Sequence, residues 1–168
     1  QNKKFRTVLD IGAWCGTWSK AIEPFAQRVV AFEPDAIHFD CLQKNCTINC
    51  SPRQEAVGSE EKWISLTDDT FTQAKRIDAI GKTRMTTIDS LNFENVDLIK
   101  IDVEGYEMEV IKGAEKTLAR TKFLMIELNN NTKKYGSSNV DVEKKLKDLG
   151  FKVIMEHWPD KVFYRVQQ

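Results

Sequence analysis

The sequence predicts an α/β fold in which a mostly parallel sheet carries helices on both faces and is closed by a C-terminal antiparallel hairpin. Three observations predict it. Strand-like apolar runs alternate with helical patterns through most of the chain. The first run enters a glycine turn with an acid at its mouth, and the tail reads as two strands split at Pro159 and Asp160.

Each element follows from local residues. In TVLDIGAWCG, residues 7–16, Val8, Leu9 and Ile11 form a buried strand, and Gly12 and Gly16 let the backbone turn sharply and approach a ligand. The spacing D-x-G-x-x-x-G differs from the dinucleotide fingerprint G-x-G-x-x-G, so no pyrophosphate is expected. A helix should run from Thr17 to Phe25, with Trp18, Ala21, Ile22 and Phe25 at core spacing. RVVAFEP, residues 28–34, is the second strand and ends in Glu33. A carboxylate there is where open α/β sheets hold two ribose hydroxyls. Pro34 and Asp35 open a helix through Phe39 and Leu42 towards Cys46, with Asp35 as N-cap.

RQEAV, residues 53–57, reads as the third strand, ended by Gly58. Residues 59–83 are less regular: WISL suggests a short strand, and DDTFTQAKRIDAIGK a polar surface loop or insertion, expected to be the most mobile part and a lid. MTTIDSL leads into the fourth strand, DLIKIDV, and then a helix through Met108, Val110, Ile111 and Leu118. FLMIEL is the fifth strand and NNNTKKYGSSN a polar loop at its carboxyl end. VDVEKKLKDLG is an amphipathic helix closed by Gly150, and FKVIMEHWPDKVFYRV forms the hairpin.

Composition bounds the function. At 168 residues one domain, 1–168, is expected, too short for a separate substrate domain. Apolar residues make up 41% and charged residues 30%, with 25 basic against 25 acidic side chains, the balance of a soluble globular protein. That balance provides no field to gather nucleic acid or an anionic membrane, and neither is expected as a partner. No apolar run approaches the roughly 20 residues that span a bilayer, so a soluble, cytoplasmic protein is expected; homo-oligomerisation is left open. The chain opens at Gln1 without Met and with only six residues before its first core strand, which suggests a missing segment or an excised domain. Cys15, Cys41, Cys46 and Cys50 lack paired C-x-x-C spacing, and although His38 is near in sequence they are read as reduced, packed thiols.

The segments VLDIGAWCG, VVAFEPD, QEAVG, MTTIDSL, VDLIKIDVEGYEMEVIKGAEKTL and FLMIELN, in this order between residues 7 and 129, resemble the FkbM family of methyltransferases. The resemblance implies the Rossmann-like class I methyltransferase fold with a seven-stranded sheet, S-adenosylmethionine as cofactor and S-adenosylhomocysteine as product. It also implies methyl transfer to a hydroxyl, commonly on a sugar or polyketide-like product, so the expected partner is a small-molecule or glycan acceptor. In such a pocket Asp10 is expected to reach the methionine amino group, with the backbone of Gly12, Ala13 and Trp14 against the carboxylate and sulfonium side and Gly16 completing the turn. Glu33 takes the ribose, Pro34 presses on the adenine edge, and Glu55 and Ala56 stand where adenine is read. The family pattern usually has a small polar residue, often Asn, where this chain has Trp14.

Catalytic candidates are the acids at the carboxyl ends of the fourth and fifth strands. A hydroxyl is a weak acid, so the protein must position it and take its proton, and burial raises a carboxylate towards the pKa this needs. Asp102 is expected near the cofactor, Glu104 as base or acceptor-orienting group, and Glu127 as the competing base. Tyr106, Asn129 and His157 are peripheral. The Asp102, Glu104 and Glu127 oxygens suit Mg²⁺, but the spacing does not require a metal and no ligand is assigned. An inactive cofactor-binding module is the second reading. An NAD-linked oxidoreductase is disfavoured by the glycine spacing and the hairpin.

Overall fold

Side-chain alternation in the first strand decides how the central sheet is covered. In the computed structural model, which describes residues 4–68, 75–79 and 81–166, β1 (Phe5–Ile11) sends Leu9 and Ile11 to one face and Val8 and Asp10 to the other. The strand is buried from Thr7 onward, as a central parallel strand should be. It is followed by α1 (Thr17–Ile22), β2 (Ala26–Phe32), α2 (Ala36–Asn45) and β3 (Cys50–Arg53). A second group of strands comes next: β4 (Ala56–Val57), β5 (Lys62–Asp68), β6 (Lys75–Ala79) and β7 (Thr83–Thr86). The chain then makes β8 (Val96–Ile101), α3 (Glu107–Lys112), α4 (Glu115–Leu118), β9 (Phe123–Glu127), α5 (Asn139–Asp148), β10 (Phe151–His157) and β11 (Asp160–Arg165).

Seven strands form the main sheet in the order β10, β11, β9, β8, β1, β2, β3. β9, β8, β1, β2 and β3 are parallel, and β11 runs antiparallel to both β9 and β10. This is the Rossmann-like class I plan with its C-terminal hairpin. Leu9, Ile11, Ile99, Ile101 and Ile126 pack on one face under α3, α4 and α5, whose inward residues include Val110, Ile111, Leu118 and Leu146. Val8, Val29, Ala31 and Leu98 pack on the other face against Leu42, Trp18 and Ile22 from α1 and α2. β1 lies between β2 and β8, so the chain order reverses there, and a crevice opens at the carboxyl ends of these strands.

Several elements differ from the sequence expectation. The first helix ends at Ile22, because Pro24 has no N–H to continue it and the chain tightens into a 3₁₀ turn over Glu23–Phe25. Ala21 and Phe25 are exposed, and the buried positions are Ser19 and Glu23. Both are held by polar partners: Ser19 donates to Asp10, and Glu23 accepts from the Thr47 amide. The third strand of the main sheet is Cys50–Arg53, three residues earlier than expected. It carries Pro52, which its edge position tolerates. Ala56–Val57 instead starts a second sheet in the order β4, β7, β5, β6. Lys75–Ala79, expected in a loop, pairs antiparallel with β5, while the remainder of the expected lid, 69–74 and 80, lies outside the described residues. The helix through Met108 to Leu118 is two helices, parted at Gly113, where a Cβ would stand 1.9 Å from the Gly58 carbonyl oxygen.

The cysteines also depart from the expectation of four reduced thiols. The chain turns back between the end of α2 and β3, bringing the Cys46 and Cys50 Cα atoms to 5.2 Å, and the two form a disulfide. Cys15 and Cys41 are free. His38 points instead towards Glu33 and Trp14. Among the described residues no helix is long and apolar enough to cross a membrane.

Asp35 caps α2 as expected, accepting from the amides of Ile37 and His38 at 3.1 and 3.0 Å. Asp35→Ala should lower unfolding free energy by about 1 kcal/mol. Urea denaturation would detect this, and an unchanged midpoint would mean the cap contributes nothing net.

Candidate functional site

The crevice holds a cavity of about 350 Å³, within the range of small-molecule sites, and the carboxyl ends of β1, β2, β8 and β9 build most of its wall. The second sheet adds Ala56, Val57 and Leu66. One end is formed by the first turn and Glu33. Gly12 has φ +82° and its Cα faces the Asp102 carbonyl so closely that a Cβ would lie 1.7 Å from that oxygen. The turn is therefore fitted to β8 as well as bent. The amides of Gly12 and Ala13 donate to the Phe32 carbonyl at 3.1 and 2.9 Å. Trp14, at φ +49°, donates its amide to Glu33 Oε2 at 2.9 Å, and Asp35 donates to Oε1 at 3.0 Å. Two backbone donors thus fix the Glu33 carboxylate, which keeps further lone pairs for hydroxyls. Burial nonetheless pushes its carboxyl above the ordinary value, against those two bonds. The Trp14 indole leans out beside His38, ring centroids 6.1 Å apart.

Of the residues expected to hold a cofactor, Gly12, Trp14, Glu33, Pro34, Glu55, Ala56 and Asp102 line the cavity; Asp10, Ala13 and Gly16 do not. Asp10 is completely buried beneath the turn. It accepts from Ser19 Oγ at 2.5 Å and lies 3.5 Å from Lys100 Nζ. Burial pushes the Asp10 carboxyl up, against the pull of Lys100. Glu55 is tied by Arg53 at 2.6 Å and faced by Arg84 at 3.6 Å.

At the other end, Asp102, Glu104 and Glu127 all line the cavity. Glu104 is in the left-handed region, φ +55°, followed by Gly105 at φ +111°. Strained backbone of this kind persists only where surrounding contacts hold it. Here the buried Glu107 carboxylate accepts from the Gly105 amide at 2.9 Å, and Asn129 and Asn131 donate to Glu104 Oε2 at 3.0 and 2.9 Å. Asn129 also donates to Glu127 Oε1 at 3.3 Å. Burial, then the neighbouring Asp102 and the charges of Glu104 and Asp160, push the Glu127 carboxyl up to about 7. A carboxylate at that value can take a proton from a bound hydroxyl near neutral pH.

Sequence reasoning missed Lys100. It pairs in register with Asp10 across β1 and β8, and its Nζ lies 3.0 Å from Asp102 Oδ2. Burial opposes its charge, but Asp10 and Asp102 hold its proton affinity above that of an ordinary lysine. A lone cation inside DLIKID, on the same strand side as Asp102, was the available signal. Tyr106 lines the cavity and Asn129 joins the acids, whereas His157 is exposed at the end of β10. His38 and Leu66 were not expected in the cavity wall. The described residues that could gather round a metal are Glu23, Cys46 and Cys50, away from this cavity, and the two cysteines are bonded to each other.

The fold agrees with comparison to known proteins. Methyltransferase FkbM from Methylobacillus flagellatus superposes with a TM-score of 0.68 at 17% identity, covering 96% of this chain and 44% of that one. Magnesium protoporphyrin IX methyltransferase (ChlM) from Synechocystis PCC 6803, solved with bound SAM, superposes with a TM-score of 0.61 at 12% identity, covering 98% of this chain and 72% of that one. In sequence, the hexuronic acid methyltransferase AglP of Haloferax volcanii is 26% identical over 139 residues, 73% of this chain. The chain spans 55% of that relative's length. The model of the methyltransferase FkbM domain matches residues 10–153, from the buried acid of β1 to the first strand of the hairpin, and so takes in every side chain of the cavity: the chain belongs to the FkbM methyltransferase family.

Proposed function

We propose that residues 1–168 form one domain of an S-adenosylmethionine-dependent O-methyltransferase whose acceptor is a hydroxyl on a sugar, glycan or related metabolite. The observation that carries this reading is a single cavity with a backbone-anchored Glu33 at one end and three convergent carboxylates at the other, one of them raised to about 7. The family membership and the name of the Haloferax volcanii relative, a hexuronic acid methyltransferase, support it.

S-adenosylmethionine supplies a methyl group already activated on a sulfonium. The protein's work is then to align the acceptor and remove its proton. In this reading Glu33 accepts from the two ribose hydroxyls. Pro34 and Ala56 flank the adenine, Glu55 stands at its edge, and Gly12 and Trp14 line the amino-acid side. Asp10 acts from beneath the turn, through Lys100, and not by lining the cavity. The acceptor oxygen forms the new C–O bond as the C–S bond breaks, the electron pair staying on sulfur and the hydroxyl proton passing to Glu127. Glu104, gripped by two asparagine amides, orients the acceptor. This reverses the order expected from sequence, where Glu104 was the first choice as base.

The reading is tested by incubating the protein with methyl-labelled S-adenosylmethionine and a panel of saccharides and following label into an ether-linked methyl group. Binding of S-adenosylhomocysteine without transfer to any hydroxyl would favour the inactive module. Glu33→Ala should weaken S-adenosylhomocysteine binding by about 1.5–3 kcal/mol, the worth of hydrogen bonds to a charged group. Unchanged affinity by calorimetry would remove Glu33 from the site.

A further inference from the structure

The charge of the cavity's acceptor end restricts what can bind there. Asp102, Glu104 and Glu127 converge on that end, and Asp160 adds to the field at Glu127. Several cations near the cavity already have acidic partners. Lys100 lies between Asp10 and Asp102, at 3.5 and 3.0 Å. Arg53 and Arg84 face Glu55. Lys62, close to Tyr106, is bonded to Glu60 at 2.6 Å and lies in the field of Glu109. His38 sits beside Glu33. Glu104 and Glu127 thus face the acceptor end, and the donors they receive there are the neutral amides of Asn129 and Asn131.

A separate feature points the same way. Tyr106 forms part of the cavity wall, braced edge-to-face by Tyr135 with ring centroids 5.0 Å apart. Its charged neighbours are Lys62, Glu109 and Glu60, and an aromatic ring in a cavity wall attracts an ammonium group through its quadrupole. A carboxylate ligand would meet like charges in a partly desolvated pocket, where repulsion is poorly screened.

We propose that the acceptor carries a protonated amine near the hydroxyl that receives the methyl group, so that the substrate class is an amino sugar or similar amino alcohol and not a uronate. The inference rests on the O-methyltransferase reading and narrows it. It also separates this chain from the substrate named for its Haloferax volcanii relative. Methyl transfer itself is unchanged: oxygen gains the methyl carbon, sulfur keeps the electron pair of the broken bond, and the hydroxyl proton goes to Glu127. The ammonium group is bound and does not react.

The test is ligand-observed NMR on the whole chain loaded with S-adenosylhomocysteine, near neutral pH and at low salt. Three matched probes are compared: methyl α-glucosaminide, methyl α-glucoside and methyl α-glucuronide. The glucosaminide should bind at least about tenfold more tightly than the glucuronide, the ratio one charge-assisted contact supports, with the glucoside between them. Glu104→Gln and Glu127→Gln should each shrink that ratio. Equal or tighter binding of the glucuronide overturns the proposal, as does failure of the glucosaminide to bind while S-adenosylhomocysteine does. Because the wild-type ranking decides alone, a variant that fails to fold does not protect the proposal. Failure of S-adenosylhomocysteine itself to bind, read separately by calorimetry, counts against the methyltransferase reading and not against the charge argument.

Discussion

Replacing Glu127 with Gln should lower kcat/KM for methyl transfer by about 10²–10⁴-fold, the range a positioned general base contributes, while leaving S-adenosylhomocysteine affinity nearly unchanged. The pH dependence follows from the same group. Its carboxyl is raised from 4.5 to about 7 by burial and by Asp102, so the proton-accepting form grows as pH rises through 7 and the wild-type rate should rise with it. Glu127→Gln should flatten that limb. If Glu104→Gln flattens it instead, Glu104 is the base and Glu127 an orienting group. Stability moves in the opposite direction. Between 4.5 and about 7 the folded chain holds a proton that the unfolded chain has released, so this group's contribution falls as pH rises through that window. Stability measured against pH should lose this component in Glu127→Gln.

The second large effect is expected at Gly12. A Cβ there would lie 1.7 Å from the Asp102 carbonyl oxygen and 2.7 Å from its carbon, in a residue at φ +82°. Left-handed strain costs roughly 1–2 kcal/mol, and displacing a packed backbone roughly 1–3 kcal/mol more. Gly12→Ala should therefore lower stability by about 2–5 kcal/mol, with a matching fall in Tm, and abolish detectable S-adenosylhomocysteine binding, because β1 and β8 must part where they frame the cavity. Gly136→Ala is the control. It has a similar φ of +78° but nothing within 4 Å of the added carbon, so it should show the strain alone. Equal losses at the two positions would mean that the close approach to β8 contributes nothing.

Val8, Leu9 and Ile11 carry the period and the apolarity of a buried strand, and FLMIEL and the hairpin do the same, so the main sheet and its direction changes are legible. Glu33 is legible because a strand that ends in an acid puts that acid at the crevice. The second sheet is not. β6 is a polar segment whose strand character comes from pairing with β5 and not from its own composition. The start of β3 at Cys50 is hidden for a related reason, since Pro52 argues against a strand until the edge position is known. Side-chain direction is the hardest part. Asp10 stands at the expected place in the chain, yet it turns to Ser19 and Lys100 beneath the sheet's surface, because its alternation partner is Val8 and not Ile11. Glu104 reaches Asn129 and Asn131 through a left-handed residue that no periodicity announces.

Calorimetric titration of the protein with S-adenosylhomocysteine decides whether the cavity is a cofactor site, because it requires no knowledge of the acceptor. One site per chain with micromolar affinity is expected, weakened by Glu33→Ala and retained by Glu127→Gln. Absence of binding to a folded chain, or binding that Glu33→Ala leaves intact, would contradict it.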